Sequence, residues 1–80
     1  MSPLRASVRN ALAAHGVVAE DGADPSSLRE RLNDLYLEEV RRLKEKRKAG
    51  EIAKEDYAAH VEALRERFPL LSLPLPLWVE

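Results

Sequence analysis

Eighty residues leave room for one domain and little more, and 13 Lys+Arg against 14 Asp+Glu give a net charge of −1 that singles out neither an acidic nor a basic partner. With no cysteine, disulfides and thiolate zinc sites are excluded, and His15 and His60 stand at no metal-ligand spacing. A charged fraction of 34% beside 45% apolar residues suits a solvated helical bundle and not a disordered chain.

A chain of this length buries only about 60% of the surface that its unfolded form exposes. Lacking disulfides and an evident metal site, it is expected to gain support by oligomerising or by docking on a larger protein. The opening Met1-Ser2-Pro3-Leu4-Arg5 carries no apolar run of signal-peptide length, and no stretch approaches about 18 consecutive apolar residues, so the expected location is the cytoplasm, with no membrane partner. The absence of Thr, Gln and Cys beside nine Arg and ten Glu fits GC-rich coding and a thermophile.

The expected class is all-α, a single domain of three helices over residues 1–80. Ser2 can cap a first helix over 3–15, with Pro3 at the first helical position, where its missing N–H costs nothing. Leu4, Val8, Ala11 and Leu12 recur at helical spacing, and Gly16 ends the run. Residues 17–24 read as a loop. A second helix spans 24–49. Either Asp24 caps it with Pro25 behind, or Ser27 does, through a Ser27–Glu30 capping box. Leu28, Leu32, Leu35, Tyr36, Val40 and Leu43 step by threes and fours into one apolar stripe, and Gly50 stops the helix after a basic last turn that suits the negative end of its dipole.

A third helix over 53–68 carries Tyr57, Val61, Leu64 and Phe68 on one face and stops before Pro69. Two stripes joined by so short a link predict an antiparallel helical hairpin. The tail, 69–80, holds five leucines, Trp78 and Val79, while Pro74 and Pro76 predict an extended or polyproline-like path. In an extended path Leu71, Leu73, Leu75 and Leu77 share one side. That much apolar surface is expected to lie on the hairpin or on a neighbouring subunit.

Residues 43–64 resemble two families of short helical hairpin. Gly50, Ile52, Glu55, Asp56, Tyr57 and Leu64 fall at the spacings of the C-terminal SHOCT hairpin and of the hairpin in the gas vesicle protein G family. Ala53 stands where those families place a hydroxyl cap, and Val61 where SHOCT usually has Lys. The resemblance covers about a quarter of the chain. It implies an oligomerisation or docking module, with no catalytic residues to carry over.

Among candidate sites, the run Arg41, Arg42, Lys44, Lys46, Arg47 and Lys48 sets six positive charges within eight helical residues, enough to neutralise phosphates. Glu38, Glu39, Glu45 and Glu51 intersperse with it and no aromatic residue interleaves, so a solvated helix end is the favoured reading and nucleic acid the alternative. Asp56 and His60, one turn apart, read as a surface pair, not as metal ligands. His15 suits a helix C-terminus. Ser7, Ser26, Ser27 and Ser72 have no evident His partner, and a chain this small has little volume for a pocket of roughly 300 Å³. No enzymatic activity and no cofactor are therefore expected. The expected function is protein–protein association, first as a homodimer or otherwise with a protein partner. Its expected surface is Leu28, Leu32, Leu35, Val40, Leu43, Leu71, Leu73, Leu75, Leu77 and Trp78. Trp78 suits a core position and a partner-binding anchor equally.

Overall fold

The structure, a computed structural model, describes residues 3–20 and 22–80. Three α-helices follow one another: α1, Ala6–Ala14; α2, Pro25–Lys48; and α3, Lys54–Glu66. Two 3-10 turns complete the chain, Pro69–Ser72 and Leu75–Leu77. The described residues form no strand beyond one isolated antiparallel bridge, Leu4 with Val79. The chain is all-α.

Its contacts fall into two compact units. One takes in the chain up to Asn33 together with Leu70–Glu80, and the other is Asp34–Pro69. The helix α2 thus gives its first turns to one unit and its remainder to the other.

The first unit buries Val8, Leu12, Val17, Leu28, Leu32, Leu70 and Trp78. The helix α1 starts later than the sequence suggests, at Ala6 and not at residue 3, because Pro3–Arg5 pair with the end of the chain. Arg5 N–H donates to the Trp78 carbonyl and Glu80 N–H to the Pro3 carbonyl, both at 3.0 Å. Ser2, the expected cap, lies outside the described residues; Arg5, extended at φ −65° and ψ 144°, takes the N-cap position without a side-chain bond. At the far end Gly16, with φ at 78°, closes α1 by a Schellman motif: Val17 N–H reaches the Leu12 carbonyl and Gly16 N–H that of Ala13, both at 2.9 Å. Leu12 and Val17, the apolar pair such a motif brings together, are both buried.

Asp24 caps α2. Its Oδ1 accepts from Ser26 N–H at 3.3 Å and its Oδ2 from the Ser27 hydroxyl at 3.4 Å, with Pro25 as the first helical residue. Ser27 is therefore inside the helix and not its cap.

The tail is not extended. Leu73 N–H bonds to the Leu70 carbonyl at 3.0 Å, and Leu77 and Trp78 N–H bond to the Pro74 and Leu75 carbonyls at 2.9 Å. None of these donors is a proline, and a ring-fixed φ near −65° suits a 3-10 turn as well as a polyproline path. The prolines forbid an α-helix but not these single turns. The tail belongs to the first unit, with α1 and the opening of α2. Its deeply buried residues are Leu70 and Trp78, whereas Leu71, Leu73 and Leu75 are half-buried and Leu77 is 47% exposed.

In the second unit, α2 ends on Gly50 with φ at 79° and the same Schellman pattern, Glu51 N–H to the Lys46 carbonyl at 2.9 Å and Gly50 N–H to that of Arg47 at 3.1 Å. Ile52 is buried at the turn. The helix α3 opens at Ala53 without a side-chain cap, and Glu55 and Asp56 occupy its first turn, where negative charge opposes the helix dipole favourably. Two contacts tie α2 to α3 and to the residues just after it. Tyr36 meets Phe68 edge-on, with centroids 5.5 Å apart and rings at 76°, and the Arg47 guanidinium lies 4.6 Å from the Tyr57 ring centroid. The middle of α2 thus meets the residues just past α3, and the end of α2 meets the start of α3, the order of an antiparallel pair. Leu64 and Phe68 are buried, while Leu35, Tyr36, Val40, Leu43, Tyr57 and Val61 are half-buried.

Candidate association surface

The ten residues expected to associate divide by unit and by depth. Leu28, Leu32 and Trp78 are buried inside the first unit, so in this conformation they offer nothing to a partner. For Trp78 the two open roles thus resolve to the core one: its side chain is 0% exposed and its indole Nε1 donates to the Leu73 carbonyl at 2.9 Å. Leu71, Leu73 and Leu75 are half-buried and Leu77 exposed. In the second unit Leu35, Val40 and Leu43 are half-buried, because a single opposing helix covers only one side of a helical stripe.

Leu37 was not expected. It lies outside the stripe of threes and fours yet is 52% exposed, in the middle of α2. The helical wheel places it beside Asp34, Arg41 and Lys44, all exposed. That wheel position, a leucine isolated among charges, is the signal the sequence carries for it. Val18, 70% exposed, is a solitary apolar residue of the loop before α2.

The basic run is not uniform. Arg42 Nη1 pairs with Glu39 at 3.1 Å and its Nη2 with Glu38 at 3.5 Å. Arg47 covers Tyr57, so the aromatic absent from the run is supplied by α3 and is already occupied. Arg41, Lys44, Lys46 and Lys48 are exposed and have no ion-pair partner among the described residues. Exposed pairs such as those of Arg42 contribute about 0–1 kcal/mol.

No group of three or more His, Asp or Glu converges as a metal site among the described residues. Asp56 and His60 are exposed on α3, and His15 is the C-cap of α1. The first unit does hold a cleft of about 350 Å³, lined by Ser26, Arg29, Glu30, Asn33 and Leu75, where the sequence left little room for one. It is wide open, and Arg29 at its edge donates to the Leu71 carbonyl at 3.2 Å. No histidine lines it to serve Ser26 as a base. Among the described residues no buried side-chain nitrogen or oxygen lacks a hydrogen-bond partner. No helix among them is long and apolar enough to cross a membrane.

The chain matches no protein-family model, and no curated protein or solved structure is similar to it at a significant level.

Proposed function

We propose that this protein is a non-enzymatic association module whose first partner is another copy of itself. The observation that carries the reading is the half-covered apolar face of Asp34–Pro69. A helix pair there leaves Leu37 52% exposed and Leu35, Val40, Leu43, Tyr57 and Val61 only half-buried. Completing the burial of each contributes about 1 kcal/mol, half the range for a whole side chain. A second such pair packed against the first covers apolar side chains that one pair leaves open. The likeness of residues 43–64 to SHOCT and gas vesicle protein G hairpins supports the same reading.

Sedimentation of the full chain over a micromolar concentration range tests it. A concentration-dependent dimer is expected. A compact monomer at every concentration refutes the proposal.

A further inference from the structure

On the outward side of α2, Asp34, Leu37, Arg41 and Lys44 succeed one another at steps of three, four and three, which puts them within about 80° of one another around the helix axis. All four are exposed, and Asp34, Arg41 and Lys44 have no ion-pair partner among the described residues. Tyr36 and Arg47, which contact Phe68 and Tyr57, lie about 100–120° away around the helix.

The order of these residues is self-complementary. Two copies of α2 laid antiparallel about a two-fold axis level with Glu39 set Asp34 of one against Lys44 of the other, and Leu37 against Arg41, twice over by symmetry. The spacing is that of alternating a and d positions, which mesh across such a seam. A parallel pairing instead sets Asp34 against Asp34, Arg41 against Arg41 and Lys44 against Lys44, and like charges repel. Acid before Leu37 and base after it therefore select both the partner and its direction.

We propose that the protein dimerises through an antiparallel α2–α2 seam, with Asp34 of each copy paired to Lys44 of the other and the Leu37 side chains packed along the Arg41 stems. This rests on the self-association proposed above and places it at Leu37, the most exposed large apolar residue of that unit, while Leu35 and Leu43 lie on the other side of α2. Long cationic side chains cover apolar surface well with their methylene stems while keeping the charge in water, so an Arg beside Leu37 is compatible with burial. A seam of three turns with peripheral ion pairs gives a weak dimer, with a dissociation constant on the order of micromolar and a marked sensitivity to salt.

The test is a charge exchange in the full chain, by sedimentation equilibrium at low salt, on wild type, Asp34→Lys, Lys44→Asp and an equimolar mixture of the two variants. Each variant alone turns both Asp34–Lys44 pairs into like-charge pairs, and its dissociation constant should rise about tenfold or more. In the mixture every variant lysine at position 34 meets an aspartate at position 44, and the unaltered pair survives on the other side. A heterodimer of nearly wild-type affinity should return. Unchanged helix content and melting temperature in each variant separate this from misfolding. Variants that dimerise as wild type does, or a mixture that fails to recover, overturn the seam while leaving self-association standing. A wild-type chain that stays monomeric overturns both. If that monomer binds a mixed nucleic-acid pool through Arg41 and Lys44, the stripe belongs to another occupant and the seam is equally overturned.

Discussion

The indole Nε1 of Trp78 donates a 2.9 Å hydrogen bond to the carbonyl oxygen of Leu73, five residues earlier in the same tail. The same residue gives its backbone N–H to Leu75 at 2.9 Å and receives the N–H of Arg5 on its carbonyl at 3.0 Å. Its side chain is 0% exposed. One residue thus folds the tail on itself, fastens it to the start of the chain and fills the core of the first unit.

Trp78→Ala should therefore cost about 3–5 kcal/mol, the range for emptying a buried aromatic site. Truncation after Pro69 should cost more, since it also removes the buried Leu70 and the 3-10 turns. Trp78→Phe keeps most of the apolar contact but strands the Leu73 carbonyl and leaves part of the site empty, and about 1–3 kcal/mol is expected. Urea unfolding of the three variants measures the order. A truncated chain that unfolds as the full chain does would contradict the role assigned to the tail.

The two ends of the chain were the least legible part of the sequence. Pro3 is a good first helical residue, and nothing near it in sequence announces that Pro3–Arg5 will pair with residues 78–80, a contact between positions more than seventy apart. Pro74 and Pro76 likewise rule out an α-helix without choosing between an extended path and a 3-10 turn, and the choice falls to the burial of Trp78. Local signals did better: Gly16 and Gly50 end helices where they stand, through the left-handed turn, and α3 is over at Glu66, a little before Pro69. Leu28 to Leu43 reads as one stripe, yet α2 passes from one compact unit to the other after Asn33, and burial changes with it. Leu37 is not legible from periodicity, which marks the face a helix buries and says nothing of the face it leaves out.

At the start of α2 the two possible caps can be told apart by substitution. Asp24→Ala removes the acceptor for Ser26 N–H and for the Ser27 hydroxyl, and about 1 kcal/mol of stability should be lost. Ser27→Ala lies inside the helix and should change stability by no more than about 0.5 kcal/mol. A larger loss at Ser27 than at Asp24 would restore the capping box over Ser27 and Glu30.

Between α2 and α3, Arg47 and Tyr57 form a pair whose coupling a double-mutant cycle isolates. Arg47→Gln, Tyr57→Leu and the double variant, compared by chemical unfolding, should show an interaction of about 0.5–1 kcal/mol, the range for a cation over a ring that is not fully desolvated. Raising salt should diminish it only slightly, since the attraction is to a quadrupole at short range. A coupling indistinguishable from zero would mean that Arg47 is free in solution to serve some other contact.

Nucleic acid is the alternative partner of the basic run. Of its six cations, Arg42 is held by Glu38 and Glu39, and Arg47 by Tyr57. Among the rest, Arg41 and Lys44 lie toward one side of α2 with Lys48, whereas Lys46 falls on a different side of the helix. Three cations on one face can neutralise about three phosphates, and near-physiological salt suppresses so short a footprint strongly. Glu45 and the acidic first turn of α3 add negative charge close by in sequence. A titration against mixed labelled DNA and RNA should therefore show no sub-micromolar binding, and any binding at lower salt should weaken with a log–log slope no steeper than about −3. Sub-micromolar affinity that vanishes when Arg41, Arg42, Lys44 and Lys48 are replaced by Ala would reverse the reading. The open side of α2 would then be a phosphate-binding face and not a seam between copies.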